Sequence, residues 1–228
     1  MPTKNVIKFT FKTVEEAEKY AKEKLGLKNV DYAGNLAFAN LSNMALQDAK
    51  NCGIDLNELC IAPFDKPVPS DISAQYYWPT KKLSFNNRNY EHDWNKIVEK
   101  GINISEKSGD YASTLPQYTI HHELGHYVHF KYNFDLARTA ELLNHKILSK
   151  DYNLSEKERE MFGIFLRYRN LMRDDTINKQ VSHYGNAGIH EFVAEVFAGQ
   201  MAGKKYSDEI MQLYKDAGGF LPQKTNGK

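Results

Sequence analysis

Residues 122–126 read His-Glu-Leu-Gly-His, and this pentapeptide constrains the chain more than any other feature. Two imidazoles four residues apart lie on one face of an α-helix, where both can bind a single zinc ion. Glu123, between them, projects beside that ion and can take a proton from a metal-activated water. About one helical turn thus supplies two ligands and a general base. The segment has to be helical for this to work, and its flanks agree. Ser113 or Thr114 offers a cap, Pro116 falls in the first turn, and Ile120, Leu124, Tyr127 and Val128 follow at helical spacing. The pattern predicts a helix from 116 to about 131. Gly125 costs a helix roughly 1 kcal/mol against alanine, so its presence suggests close approach of another backbone or of the metal. His121 and His129 flank the motif. His129 is a competing ligand, although the helix axis carries it a further turn away. The bland alternative is a surface helix that happens to carry histidines.

A catalytic zinc site takes three protein ligands and leaves a position for water. The metzincin pattern needs glycine at 129 and histidine at 132, where this chain has His129 and Tyr132. The aspzincin Gly-Thr-x-Asp segment is absent, leaving Asp174 and Asp175 as loose candidates. The gluzincin arrangement, with a glutamate from a later helix, is matched best by Glu191 in the run 187–199. Ile189, Phe192, Val193, Val196 and Phe197 form one apolar face there, while Ala194 and Ala198 keep the other side small. Such a helix should be buried. Yet it carries Glu191 and Glu195 one turn apart, a like-charge pair that is costly to bury without a cation. A zinc ion resolves the conflict if Glu191 ligates it and Glu195 holds a ligand histidine by its other ring nitrogen. Otherwise the acids reach solvent or pair with Lys204 and Lys205.

Taken with Tyr184-Gly185-Asn186 and Glu191-Phe192-Val193-Ala194-Glu195, the pentapeptide resembles the protease domain of anthrax lethal factor and its relatives. The resemblance covers residues 114–199. In that family a tyrosine stands seven residues before the glutamate ligand, as Tyr184 stands before Glu191. The resemblance implies that Tyr184 donates a hydrogen bond to the oxyanion of the tetrahedral intermediate. The family's asparagine has no clear match, so Asn186 is given no role. The stretch from Phe11 to Gly34 resembles segments beside enzymatic domains in phage minor head proteins, which raises a phage or mobile-element origin.

Elsewhere the pattern reads as α+β: a mostly helical, zincin-type domain with a small sheet or hairpin near the motif helix. A short strand is expected over 6–11. Thr13-Val-Glu-Glu16 reads as a capping box opening a helix that buries Val14, Ala17, Ala21 and Leu25 and ends at Gly26. Further helices are expected over 36–50, 90–100 and 139–146. Another follows Ser155-Glu-Lys-Glu158, with Met161, Phe165, Tyr168 and Met172 as its core stripe. Residues 75–78 and 82–85 flank a Pro-Thr-Lys turn and predict a hairpin whose edge could pair with an extended peptide. The proline-rich span 62–71 marks an internal boundary. The expected organisation is an N-terminal α/β subdomain over 1–65, a zincin-like domain over 66–220 and a flexible tail over 221–228.

With 30 Lys+Arg against 29 Asp+Glu there is no basic field, and no nucleic-acid partner is expected. Cys52 and Cys60 lack zinc-knuckle spacing and read as free thiols in a reducing compartment or as one disulfide. The chain shows no apolar leader and no membrane-length run, so a cytoplasmic location is expected and no membrane partner. Phage association or specialised export are the alternatives. Nothing indicates the oligomeric state.

These readings combine into one expectation: a zinc-dependent endopeptidase acting on polypeptides, with one Zn2+ per chain. His122, His126 and Glu191 are the metal ligands, Glu123 the general base, Tyr184 the oxyanion donor and Glu195 the orienting acid. Affinity order and availability favour zinc among divalent ions. Two rivals stand beside it. One is a non-catalytic phage structural or assembly module with a closed zinc site, completed by His129 or His190. The other is a toxin or effector protease specific for one host protein. Retention of Glu123 together with every ligand favours catalysis.

Overall fold

The computed structural model describes residues 11–70, 72–88, 109–113, 115–151 and 153–221. Thr13 opens the first helix, α1 (Val14–Tyr20), its hydroxyl accepting the Glu16 N–H at 3.2 Å. The expected capping box is only half formed, because the Glu16 carboxylate accepts from Lys12 N–H instead. The chain continues through a π-helical turn (Ala21–Leu25) and stops at Gly26, whose φ of 88° suits a residue without Cβ. Asn35 caps α2 (Leu36–Asn51) through the Phe38 N–H, and ten α2 side chains are buried.

Among the described residues, four short strands form one sheet in the order β1-β2-β4-β3, with β1 at Asn29–Val30, β2 at Cys60–Pro63, β3 at Ala74–Tyr77 and β4 at Lys82–Phe85. β1, β2 and β4 run parallel, and β3 closes one side antiparallel to β4. The predicted hairpin is present, shifted by one residue at its first strand, with Trp78 in the turn. Ala62 and Pro63, at the start of the proline-rich span, belong to β2. Among the described residues β3 is an edge strand, and its outer side faces the motif helix.

That helix, α3, runs Tyr118–Tyr132 and so starts two residues later than expected. Pro116 falls in the preceding turn, where Ser113 accepts the Leu115 N–H instead of capping the helix. α4 (Phe134–Ser149) is longer than the predicted 139–146 and ends at left-handed Lys150. α5 (Glu156–Arg173) begins with both halves of the Ser155/Glu158 capping box, as expected. Met161 and Tyr168 of its stripe are buried, and Phe165 and Met172 pack partly against the core. After α6 (Thr176–Gln180) and a 3-10 turn (Tyr184–Asn186) come α7 (Ile189–Met201) and α8 (Asp208–Asp216). The fold is mostly helical with a small sheet, an α+β arrangement as expected. The expected helix over 90–100, and the strand over 6–11 except Phe11, lie outside the described residues, as does the tail beyond Leu221. Among the described residues no helix is long and apolar enough to cross a membrane. Cys52 and Cys60 are both free thiols, so the disulfide alternative is not realised.

The contact that positions the site is α3 against α7. A Cβ placed on Gly125 would lie 2.7 Å from the Ala194 Cα, so the close approach is to a backbone. Relief requires the two helices to separate. Overpacking of this kind costs about 1–3 kcal/mol, and alanine returns about 1 kcal/mol of helix propensity. Because the obstacle is main chain, Gly125→Ala is expected to destabilise by about 2 kcal/mol, near the upper end of that balance. Urea denaturation checks it; a neutral or stabilising change would show that the helices yield freely.

Candidate metal centre

α3 presents His122 and His126 from adjacent turns, and α7 brings Glu191 to them across the Gly125–Ala194 contact. His122 Nε2 lies 3.2 Å from His126 Nε2 and 3.0 Å from Glu191 Oε2, and His126 Nε2 lies 3.4 Å from the same oxygen. The three donor atoms form a nearly equilateral triangle. A tetrahedral zinc with ligand distances of about 2.0–2.1 Å separates its ligand atoms by roughly 3.3 Å. The measured edges bracket that value. Glu191 Oε2 is buried and accepts no hydrogen bond, despite two nitrogens this close. Such an arrangement is costly on its own and is satisfied by a cation. Among the described residues, this trio is the one group of three metal-ligating side chains that converges.

Protonation follows the same logic. Burial disfavours a charged His122, yet the Glu191 and Glu195 carboxylates at its two nitrogens outweigh this and raise its pKa to about 10. Burial pushes Glu191 up, and the two imidazoles overcome this to hold it well below the usual carboxylate range.

Glu195 is wholly buried and serves His122 from behind. Its Oε1 lies 2.7 Å from His122 Nδ1 and also accepts from the Tyr118 hydroxyl. Its Oε2 accepts from the Ala112 N–H at 2.7 Å and the Ser182 hydroxyl at 2.6 Å. A neutral His122 that donates through Nδ1 keeps its Nε2 lone pair for the centre. The expected link from Glu195 to a histidine's second nitrogen is thus present. Lys204 makes no direct ion pair with either acid; its ammonium donates to the Val181 carbonyl.

Glu123 is mostly buried, and its Oε2 accepts the Tyr76 N–H at 2.6 Å. Tyr76 belongs to edge strand β3, opposite Leu83, so this N–H points away from the sheet and toward the cleft. The Tyr76 ring packs edge-on against Tyr127 of α3, 5.6 Å between centroids, which keeps strand and helix in register. Tyr184 stands at the start of the 3-10 turn, tied by its N–H to the Asp110 carbonyl at 3.0 Å. Its ring centroid is 5.5 Å from that of His122. Partial burial, reinforced by the Glu191 and Glu123 carboxylates, pushes the phenol up to about 12. It is a neutral hydroxyl donor at physiological pH.

The other histidines near the motif are not among the converging ligands. His129 Nε2 is 2.9 Å from the Ala217 carbonyl, and burial lowers its pKa to about 3. His121 faces α2, with Nε2 3.3 Å from the Asp48 carboxylate. His190 stacks on Phe130 and is not one of the converging ligands. Asp174 closes α5, and Asp175 lies beside Lys179 at the start of α6. Sequence reasoning missed Tyr118, Ser182 and the Tyr76 N–H. Of these, only Tyr118 left a signal, standing four residues before His122 on the same helix face. Comparison with known proteins returns nothing: no family model, no curated protein and no solved structure matches this chain.

Proposed function

We propose that this chain is a zinc-dependent endopeptidase of gluzincin type, similar in its site to the protease domain of lethal factor. The observation that carries the reading is the triangle of His122, His126 and Glu191, with the Glu123 carboxylate on the same helix and facing an edge strand. A zinc ion held by the trio supplies Lewis acidity, bringing water deprotonation toward neutral pH and polarising a carbonyl oxygen. Glu123 takes the proton of the attacking water and passes it to the leaving amine as the C–N bond breaks. Tyr184 donates its hydroxyl to the oxygen on which negative charge develops. Glu195, held by Tyr118, Ser182 and Ala112, keeps His122 in one tautomer and orientation.

A closed structural zinc site would recruit a fourth protein ligand. Of its two candidates, His129 is held by the Ala217 carbonyl, and His190 stacks on Phe130 outside the converging trio. This supports an open coordination position.

Elemental analysis of protein purified without chelators tests the ligand set. About one zinc per chain is expected. Glu191→Ala should weaken zinc binding beyond the roughly 10–100-fold cost of losing an outer partner, and unchanged affinity would remove Glu191 from the ligand set.

A further inference from the structure

Residues 109–112 carry no motif, yet they tie together two parts of the centre. The Gly109 and Asp110 carbonyls accept the N–H groups of His183 and Tyr184 at 3.1 and 3.0 Å. The Ala112 N–H donates to Glu195 at 2.7 Å. Tyr111 stands between these bonds, so its backbone is fixed on both sides. Its ring centroid lies 5.0 Å from that of Tyr118 and 6.3 Å from that of Tyr184, which it meets edge-on. Among the described residues the Tyr111 hydroxyl makes no hydrogen bond, so the ring itself is what it contributes.

Tyr184 needs such a neighbour. It is 43% exposed and starts a turn of three residues, and exposed side chains change rotamer within nanoseconds. Among the described residues two rings flank its own: His122, 5.5 Å away, and Tyr111. Glu195 holds His122 from behind at 2.7 Å, which makes that ring one fixed wall. Tyr111, packed on Tyr118, forms the other. A phenol that swings off the His122 ring carries its hydroxyl away from the metal centre.

We infer that Tyr111 is a positioning residue for the oxyanion donor: its ring, packed between Tyr118 and Tyr184, keeps the Tyr184 phenol beside His122. The inference rests on the peptidase reading and adds to it a residue that need not touch the reacting atoms. One aromatic pair biases an equilibrium by about 2–10-fold, whereas loss of an oxyanion donor costs about 100–1000-fold. Tyr111→Ala should therefore reduce turnover measurably but far less than Tyr184→Phe.

The experiment compares zinc-loaded parent, Tyr111→Ala, Tyr111→Phe, Tyr184→Phe and the Tyr111→Ala/Tyr184→Phe double variant on a peptide that the parent cleaves. In the metal-free proteins, 13C relaxation of labelled tyrosine rings follows Tyr184 directly, its signals being those lost in Tyr184→Phe. Tyr111→Ala should lower kcat about 2–10-fold with KM and zinc content unchanged, and should loosen the Tyr184 ring. Tyr111→Phe should match the parent in both readouts. In the Tyr184→Phe background, Tyr111→Ala should cost nothing further, because the hydroxyl it places is gone. Tyr111→Leu, apolar but without a ring, replaces the alanine variant if that one does not fold. Unchanged Tyr184 mobility, an unchanged kcat, a loss that persists in the double variant, or a Tyr111→Phe as impaired as Tyr111→Ala overturns the positioning role and leaves the peptidase reading standing. A zinc-loaded parent that cleaves nothing overturns the peptidase reading, and this inference with it.

Discussion

Glu123→Gln is expected to bind zinc as the parent does and to lose peptide hydrolysis by about 100- to 10,000-fold, the range spanned by loss of general acid–base help. The substitution is nearly isosteric, and the Tyr76 N–H that now donates to Oε2 at 2.6 Å can donate equally to the glutamine carbonyl. Side-chain position and strand contact are therefore retained. Basicity alone is removed. Steady-state kinetics on a peptide cleaved by the parent, with zinc stoichiometry measured on the same samples, separates the two effects. A variant that is fully metallated and keeps more than a tenth of the parental rate would exclude Glu123 as the base.

Glu195→Ala should be the most damaging single change to stability among the site residues. It leaves the Ala112 N–H, the Ser182 and Tyr118 hydroxyls and His122 Nδ1 without their shared acceptor. Each stranded buried donor costs about 1–3 kcal/mol. The losses are not additive, since the hydroxyls can turn and water can enter the space. Removing one member of a buried charged network costs about 3–5 kcal/mol, which is the loss expected in chemical denaturation of the metal-free protein. Metal affinity should fall about 10–100-fold even where the variant remains folded, because His122 is no longer fixed in tautomer or angle. Chelator competition measures that second effect. Parental stability together with parental affinity would mean that the four donors find other partners and that Glu195 orients nothing.

The two ligand helices were legible for different reasons. α3 announces itself because ligand and base identities recur at helical spacing within one short segment. Glu191 was legible as a contradiction, a like-charge pair set in an otherwise apolar helix. What the sequence concealed is non-local or made of main chain. Ala112 and Glu195 are 83 residues apart, and Tyr76 and Glu123 are 47 apart, and in both pairs a backbone N–H donates. No residue type encodes such a donor. His129 looked like a rival ligand because helical spacing gives a face but not what that face meets. It meets the Ala217 carbonyl just after α8, about as far along the chain as the described fold extends. The late start of α3 has a local cause, since Ser113 spends its hydroxyl on a turn around Leu115 and leaves the helix to begin beyond Pro116.

The bond from Tyr76 to Glu123 also limits how the hairpin can change over generations. Successive residues of a strand point their N–H groups to opposite sides, so only Ala74 and Tyr76 in β3 can present theirs outward while Gln75 and Tyr77 pair with β4. A single inserted or deleted residue in the Trp78–Lys81 turn that slipped β3 by one position would turn the donor facing Glu123 back into the sheet and reverse every side chain of the strand. Length variation around this site is therefore tolerated in even steps or outside the hairpin, and the turn length becomes a trait inherited together with the pentapeptide 45 residues away from Tyr77.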